Sequence, residues 1–306
     1  MSTAVNTTTI TPSPYVVGQV LKLKGPNGED LSVTIAGTFP VTISPVMTVQ
    51  VEKAKGYQEE AVLKMFDRRF GDSRKESPYS NDPPKPHTER AEAAFQDYVR
   101  RGLVKPLFDN IKRKEDLFDH EGIVDDSDSD DDKSELEKLG EEEGKIQYII
   151  QRHYASEIQA YKELQALQSR CVPRFISSVT LDMPSAQPDL PPTYFQVRGI
   201  LLERIQGFNL SELVSILPDV PSLWEEIVQK NVVVAKLDDR TFQPFLVDFA
   251  RSAFKWQYED TDDMNNPNGF QRNVYMLDNL GAIGSVMTKR VKRATGHKLK
   301  IKYPER

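Results

Sequence analysis

Apolar side chains recur at every second position through the early part of this sequence, and that rhythm commits it to β-strands. Between Tyr15 and Glu52 the pattern is β. Val16, Val20, Leu21 and Leu23 lead into a turn, Gly25-Pro26-Asn27-Gly28, after which Leu31, Val33 and Ile35 alternate with polar residues. Val41 to Val51 is rich in β-branched residues and reads as a second strand region, with Pro45 marking an edge or bulge. Glu60 to Phe66 reads as a third strand. It carries Lys64 among Ala61, Val62, Leu63, Met65 and Phe66. An ammonium in an apolar strand is costly unless an anion accompanies it.

Further along, the pattern changes. Residues 1–14 read as a disordered lead and 15–70 as the strand-rich part. Residues 71–145 read as a long insertion with Pro-rich turns, a helical patch from Glu89 to Arg101 and the acidic run Asp125 to Lys133. So concentrated a charge resists packing. Within it, Ser127 and Ser129 each precede an Asp by three residues, the spacing of an acid-directed phosphorylation site; a solvated linker accounts for the run as well. Helical spacing returns at about Lys145, through Ile149, Ile150, His153, Ile158, Tyr161, Leu164 and Leu167. Strands follow at Val172–Leu181 and Phe195–Ile205. A short helix at Asn209–Leu217 is capped by Asn209 with Glu212 completing the capping box. Val232–Val234 and Phe245–Val247 form a hairpin, and Val274–Lys292 a last helix. The sum is an α+β protein.

Composition narrows the function classes. The 306 residues carry a net charge of −6, which argues against nucleic acid as a partner. The basic stretch Lys289 to Lys302 reads as a solvated helix face and tail. The single cysteine, Cys171, rules out an internal disulfide and a cysteine metal site, and fits a reducing compartment. His87, His120, His153 and His297 are scattered and make no metal motif. No run of about 18 apolar residues offers a membrane span. The N-terminus lacks the basic start and apolar centre of a secretory signal. These features lead to the expectation of an intracellular protein with no membrane partner.

Three features taken in order carry chemistry: Lys64 on its strand, Glu157 on the helix after the insertion, and the hairpin flanked by Asn231 and Asp248-Phe249. Two oxygen donors at the ends of adjacent strands suit one hard cation such as magnesium. The stretch Gly199 to Leu210 (GILLERIQGFNL) adds a strand, a short linker and a capped helix start. With VLKMFDRRF, EIQAYKELQALQSRCVPRF and FLVDFARSAF, this set resembles the fungal protein-kinase-like family over roughly residues 45–290.

The resemblance implies an α+β, protein-kinase-like two-lobed fold. It would have a β-rich first lobe, a long insertion before the glutamate helix (146–205 with the remaining strands) and a shortened second lobe (206–306). It implies that Lys64 holds ATP phosphates and that Glu157, with Glu163 as runner-up, orients Lys64. Leu202 would stand at the gatekeeper position, the backbone of Glu203 and Ile205 would meet the adenine edge, and Asn231 and Asp248 would hold Mg2+.

Departures from the family bear on activity. No GxGxxG loop is present, and Gly25–Gly28 reads as a plain turn. Five residues before Asn231 stands Glu226, where a kinase places the aspartate of His-Arg-Asp. Leu217 to Glu226 leaves no room for the long buried helix of a kinase, Ala250 replaces the glycine of Asp-Phe-Gly, and no Ala-Pro-Glu follows. Asp278 to Met287 resembles the closing helix of fungal members instead. The expectation is therefore an ATP- and Mg-binding protein with a degraded catalytic loop, a pseudokinase or truncated kinase. The alternatives are an active Ser/Thr kinase acting on a protein hydroxyl with Glu226 as base, and a non-catalytic α+β interaction protein.

Overall fold

The computed structural model describes residues 9–52, 58–75, 82–121 (backbone alone from 115), 133–183, 187–209, 231–238, 242–252 and 254. The chain divides into two units. One comprises Met1–Glu163 with Arg174–Arg204, the other Leu164–Pro173 with Ile205–Arg306.

The first unit is built on six strands: β1 (Val20–Lys24), β2 (Asp30–Thr38), β3 (Val46–Glu52), β4 (Gln58–Phe66), β5 (Phe175–Asp182) and β6 (Gln196–Glu203). They pair antiparallel in the order β1-β2-β3-β4-β6-β5, and β5 meets β1 again, so the sheet closes into a barrel. The alternating residues turn inward. Leu21 and Leu23, Val33 and Ile35, Met47 and Val49, Leu63 and Met65, and Val197 and Leu201 form one buried core. Burying each such side chain is worth roughly 1.5–3 kcal/mol. Gly25–Gly28 is the expected turn: the Gly28 N–H donates to the Gly25 carbonyl at 3.0 Å, and Gly28 takes a φ of 83°. Register shifts at Ile35/Gly37 and at Phe175/Ser177 add the local bends that help a sheet curl shut.

Three helices cover the barrel among the described residues: α1 (Glu89–Arg100), α2 (Val104–Glu121) and α3 (Glu135–Glu163). The Thr88 hydroxyl caps α1 by accepting from the Ala91 N–H at 3.1 Å. The helices α1 and α3 approach closely at Gly140, where a Cβ would lie 2.8 Å from the Ala94 carbonyl oxygen. Phe95, Tyr98, Val99, Val104, Leu107, Leu190 and Phe195 fill a second core between helices and sheet. The helix α3 starts ten residues before the Lys145 expected from periodicity. Its first turns are rich in glutamate and fall in the stretch expected to belong to the insertion, yet Glu143 is buried there by Arg68 and Arg74.

The second unit holds a three-stranded antiparallel sheet, β7 (Gly207–Asn209), β8 (Val232–Lys236) and β9 (Phe242–Leu246), in that order. The expected hairpin is thus present as β8 and β9. The Leu246 N–H donates to the Cys171 carbonyl at 2.8 Å. Asn209 ends a strand; the rest of the helix expected there, the Leu217–Glu226 stretch, the acidic run up to Asp132, and the candidates Val274–Lys292, Asp278–Met287 and Lys289–Lys302 lie outside the described residues.

The two-lobed kinase-like fold expected from the resemblance is corrected by this architecture. Among the described residues, a closed six-stranded antiparallel barrel with three α-helices stands in its place. The physical reason lies in what a two-residue period reports. It says that a segment is a strand with one buried face; it says nothing of where the strand's hydrogen-bonding edges go. Closure is decided by Lys24 meeting Thr180, a contact no local pattern encodes.

Candidate functional site

The strand β4 sends Ala61, Leu63 and Met65 into the barrel core, so Lys64 points to the opposite, outer face, where α3 packs. There its Nζ donates to Glu157 Oε2 at 2.8 Å. Lys64 is 4 % exposed and Glu157 is fully buried. The Phe66 ring lies beside the ammonium, 5.4 Å from its centroid. Sequence reasoning set Glu163 against Glu157 as the partner. Six residues further along a helix lie about 120° around it, and Glu163 is exposed, accepting instead from Gln159 at 2.7 Å.

Leu202 is buried on β6, opposite Val62 of β4 and Phe175 of β5. The Glu203 N–H donates to the Arg174 carbonyl and its carboxylate accepts from the Arg174 N–H, both at 2.9 Å, which ties the end of β6 to the start of β5. Ile205 opens the second unit. In that unit Asn231 and Asp248 sit at adjoining ends of β8 and β9, and the Val247 N–H donates to the Asn231 carbonyl at 2.9 Å. Asp248 adopts a φ of 65°. That region is unfavourable for a residue with a Cβ, though aspartate tolerates it better than most. The donor chemistry of this pair, one amide and one carboxylate oxygen, fits a hard cation that keeps most of its coordination for water and phosphate. Glu226 lies outside the described residues. Among the described residues no three or more His, Cys, Asp or Glu side chains gather as metal ligands, and no helix is long and apolar enough to cross a membrane.

A second buried ionic site went unread in the sequence. Directly after β4, Asp67, Arg68 and Arg69 are all buried. Arg68 donates to Glu143 at 2.6 Å and to Glu92, and its guanidinium lies 4.3 Å from the Phe95 ring centroid. Arg74 donates to both oxygens of Glu143, at 2.7 and 3.1 Å. His87 contacts Glu92 at 3.2 Å and the Thr11 hydroxyl at 2.8 Å. Asp67 accepts from the Tyr15 hydroxyl at 2.7 Å and is gripped by Arg69.

Burial opposes the charge on Glu92, yet the His87 hydrogen bond and the Arg68 charge outweigh it and hold the carboxyl down to about 2. Glu143 and Asp67 are lowered against burial in the same way, by Arg68 with Arg74 and by Arg69. Burial and the neighbouring Asp67 raise the Tyr15 phenol. The available signals were three charges following an apolar strand without a break, and the Gly140 and Gly144 that bracket Glu143 on its helix. The charges of this cluster are paired with one another, as in a structural clamp, although Arg68 Nε is buried without a hydrogen-bond partner. The ammonium at 64 is instead a single point charge, buried and paired with one carboxylate. No family model matches this sequence, and no curated protein matches it.

Proposed function

We propose that this chain is a nucleotide-binding module for Mg-ATP in which phosphate transfer has decayed, a pseudokinase by chemistry. The observation that carries the reading is the Lys64–Glu157 pair, a lysine on a barrel strand held at 2.8 Å by a helix glutamate. In this reading Lys64 contacts phosphate oxygens and Glu157 fixes its ammonium. Leu202 bounds the base, and the backbone of Glu203 and Ile205 meets its edge. In the second unit, Asn231 and Asp248 supply the amide and carboxylate oxygens that suit magnesium. The strained backbone of Asp248 favours a functional role, because strain persists where geometry matters. Glu226 stands where an aspartate base is expected. A glutamate has one methylene more than an aspartate, and a misplacement of about 1 Å in a catalytic base costs on the order of a hundredfold in rate.

One competing reading has its own support. Lys64 and Glu157 are both buried, as a purely structural ion pair would be. A thermal-denaturation titration of the full chain with Mg-ATP separates the two. At 100 times its dissociation constant the nucleotide adds about 2.7 kcal/mol of stability, and Lys64→Met and Asp248→Ala each remove that gain. An unchanged melting curve in millimolar Mg-ATP ends the nucleotide reading. Phosphate incorporation that depends on Asp248 would instead favour an active kinase.

A further inference from the structure

The barrel is closed at one point and open beside it. Among the described residues β1 and β5 pair only at Lys24 and Thr180. The direction of every backbone group along this seam follows from its neighbours. The Ile35 N–H donates to the Gln19 carbonyl at 2.9 Å and the Gly25 N–H to the Glu29 carbonyl at 2.8 Å. Odd-numbered residues of β1 therefore aim their peptide groups at β2. On β5, the Met183 N–H donates to the Phe195 carbonyl at 3.3 Å, so odd-numbered residues aim at β6. Because peptide groups alternate along a strand, Lys24, Lys22 and Val20 face Thr180 and Asp182 across the seam.

Past Lys24 and Thr180 the strands diverge. Lys22 and Asp182, next in line to pair, are exposed and border a groove of about 900 Å³. Its walls include Val20, Lys22, Leu181 and Asp182, with α1 opposite and the segment Thr11–Pro14 along one side. That segment cannot zip the seam as a strand, because Pro12 and Pro14 have no N–H to give.

We propose that this open seam is a docking site for an extended segment of a partner protein, which adds as a strand to the edge of β1. The occupant is argued from the backbone. The N–H and C=O groups of Lys22 and the N–H of Val20 are aimed into the groove in strand geometry, with those of Asp182 across it; the Val20 carbonyl already accepts from the Gln19 side-chain amide at 3.3 Å. An extended peptide satisfies such a row where a helix does not. Side-chain chemistry follows from the pleat. Residues of the added strand that face inward meet Leu21 and Leu181 and are apolar; those facing outward lie between Lys22 and Asp182 and are polar.

The test uses the full chain on an array of octapeptides that alternate Val, Ile, Leu or Phe with Thr, Lys or Glu. The strongest binder is then made free in solution, with a copy N-methylated at every second amide. Saturating peptide slows amide exchange at Val20 and Lys22 at least tenfold, and the methylated copy does not. Lys22→Pro removes an N–H that β2 does not use, so it weakens peptide binding at least tenfold while β1 stays paired. The exchange measurement on the unaltered chain decides the matter even where that variant folds poorly. Absence of any binder at 1 mM, equal binding of the methylated copy, or protection at other amides overturns the proposal. Concentration-dependent dimerisation that protects these amides without peptide also overturns it, and assigns the seam to a second copy of the chain.

Discussion

The helix α3 presents two buried glutamates to the strand end and strand face beneath it, and they are treated differently. Glu143 and Glu157 are fourteen residues apart, nearly whole turns, so they share one face of the helix about 21 Å from each other. Glu143 is clasped by Arg68 and Arg74, which also engage Glu92 and the Lys85 carbonyl. Glu157 receives a lysine. Guanidinium forks deliver several donors in fixed geometry and lock elements together; an ammonium is compact and readily shared with a phosphate. One helix thus carries a clamp at one end and a candidate binding group towards the other.

The largest effect expected from this contrast is at the clamp. Glu143→Gln leaves Arg68 and Arg74 buried beside a neutral amide, and removing one partner of a buried ionic group costs about 3–5 kcal/mol. Urea denaturation reads it directly. A loss below about 1 kcal/mol would mean that the arginines are solvated in solution and that Glu143 is no clamp.

Acid should dissolve the same clamp. The Glu92 carboxyl is held at about 2 in the folded chain, against roughly 4.3 when unfolded. A folded value below the unfolded one contributes stability that is fully present above about pH 4.3 and is lost as pH falls through 2. The difference amounts to about 3 kcal/mol, with Glu143 and Asp67 shifted in the same direction. Urea midpoints measured from pH 7 to pH 2 fall along this limb. Glu92→Gln starts lower at pH 7 and falls less steeply, and an unaltered slope in that variant would remove Glu92 from the account.

A smaller effect tests whether helix packing delivers Glu143 to the arginines. In Gly140→Ala the new methyl meets the Ala94 backbone oxygen at 2.8 Å, whereas in Gly144→Ala it meets the mobile end of Leu107 at 2.7 Å. Overpacking costs about 1–3 kcal/mol, and the better helix propensity of alanine returns up to about 1 kcal/mol. Gly140→Ala is therefore destabilising by about 1–2 kcal/mol, while Gly144→Ala is close to neutral. Equal losses would show that the backbone at Ala94 yields as easily as a leucine side chain.

These two sites also mark the limits of legibility. Lys64 stood out because it is a charge in an apolar alternation, and Glu157 because it falls on an amphipathic helix in the right order. Strands β1 to β6 were readable for the same reason, each having one buried face. The clamp was not readable. Asp67-Arg68-Arg69 looks like the solvated end of a strand, and burial there depends on Glu92 and Glu143 arriving from helices distant in sequence. Closure of the barrel was hidden likewise, since Lys24 and Thr180 are lysine and threonine with no apolar signal to pair them. The helix α2 was hidden among charged residues whose local pattern resembles a linker.

The smallest expected change in stability is the one that bears most on function. Lys64→Met combined with Glu157→Leu replaces a buried ion pair by apolar groups of similar size. Such exchanges are often neutral or stabilising by about 1–4 kcal/mol, because two charges no longer have to be desolvated. If the pair is kept for a ligand, the double variant folds at least as well as the original and loses the shift that Mg-ATP produces. If it is kept only for the fold, the double variant folds as well but Mg-ATP shifts neither protein, and the contrast between the two glutamates disappears. Measuring urea midpoints with and without Mg-ATP on the same two proteins separates these outcomes, because stability and ligand response then move independently.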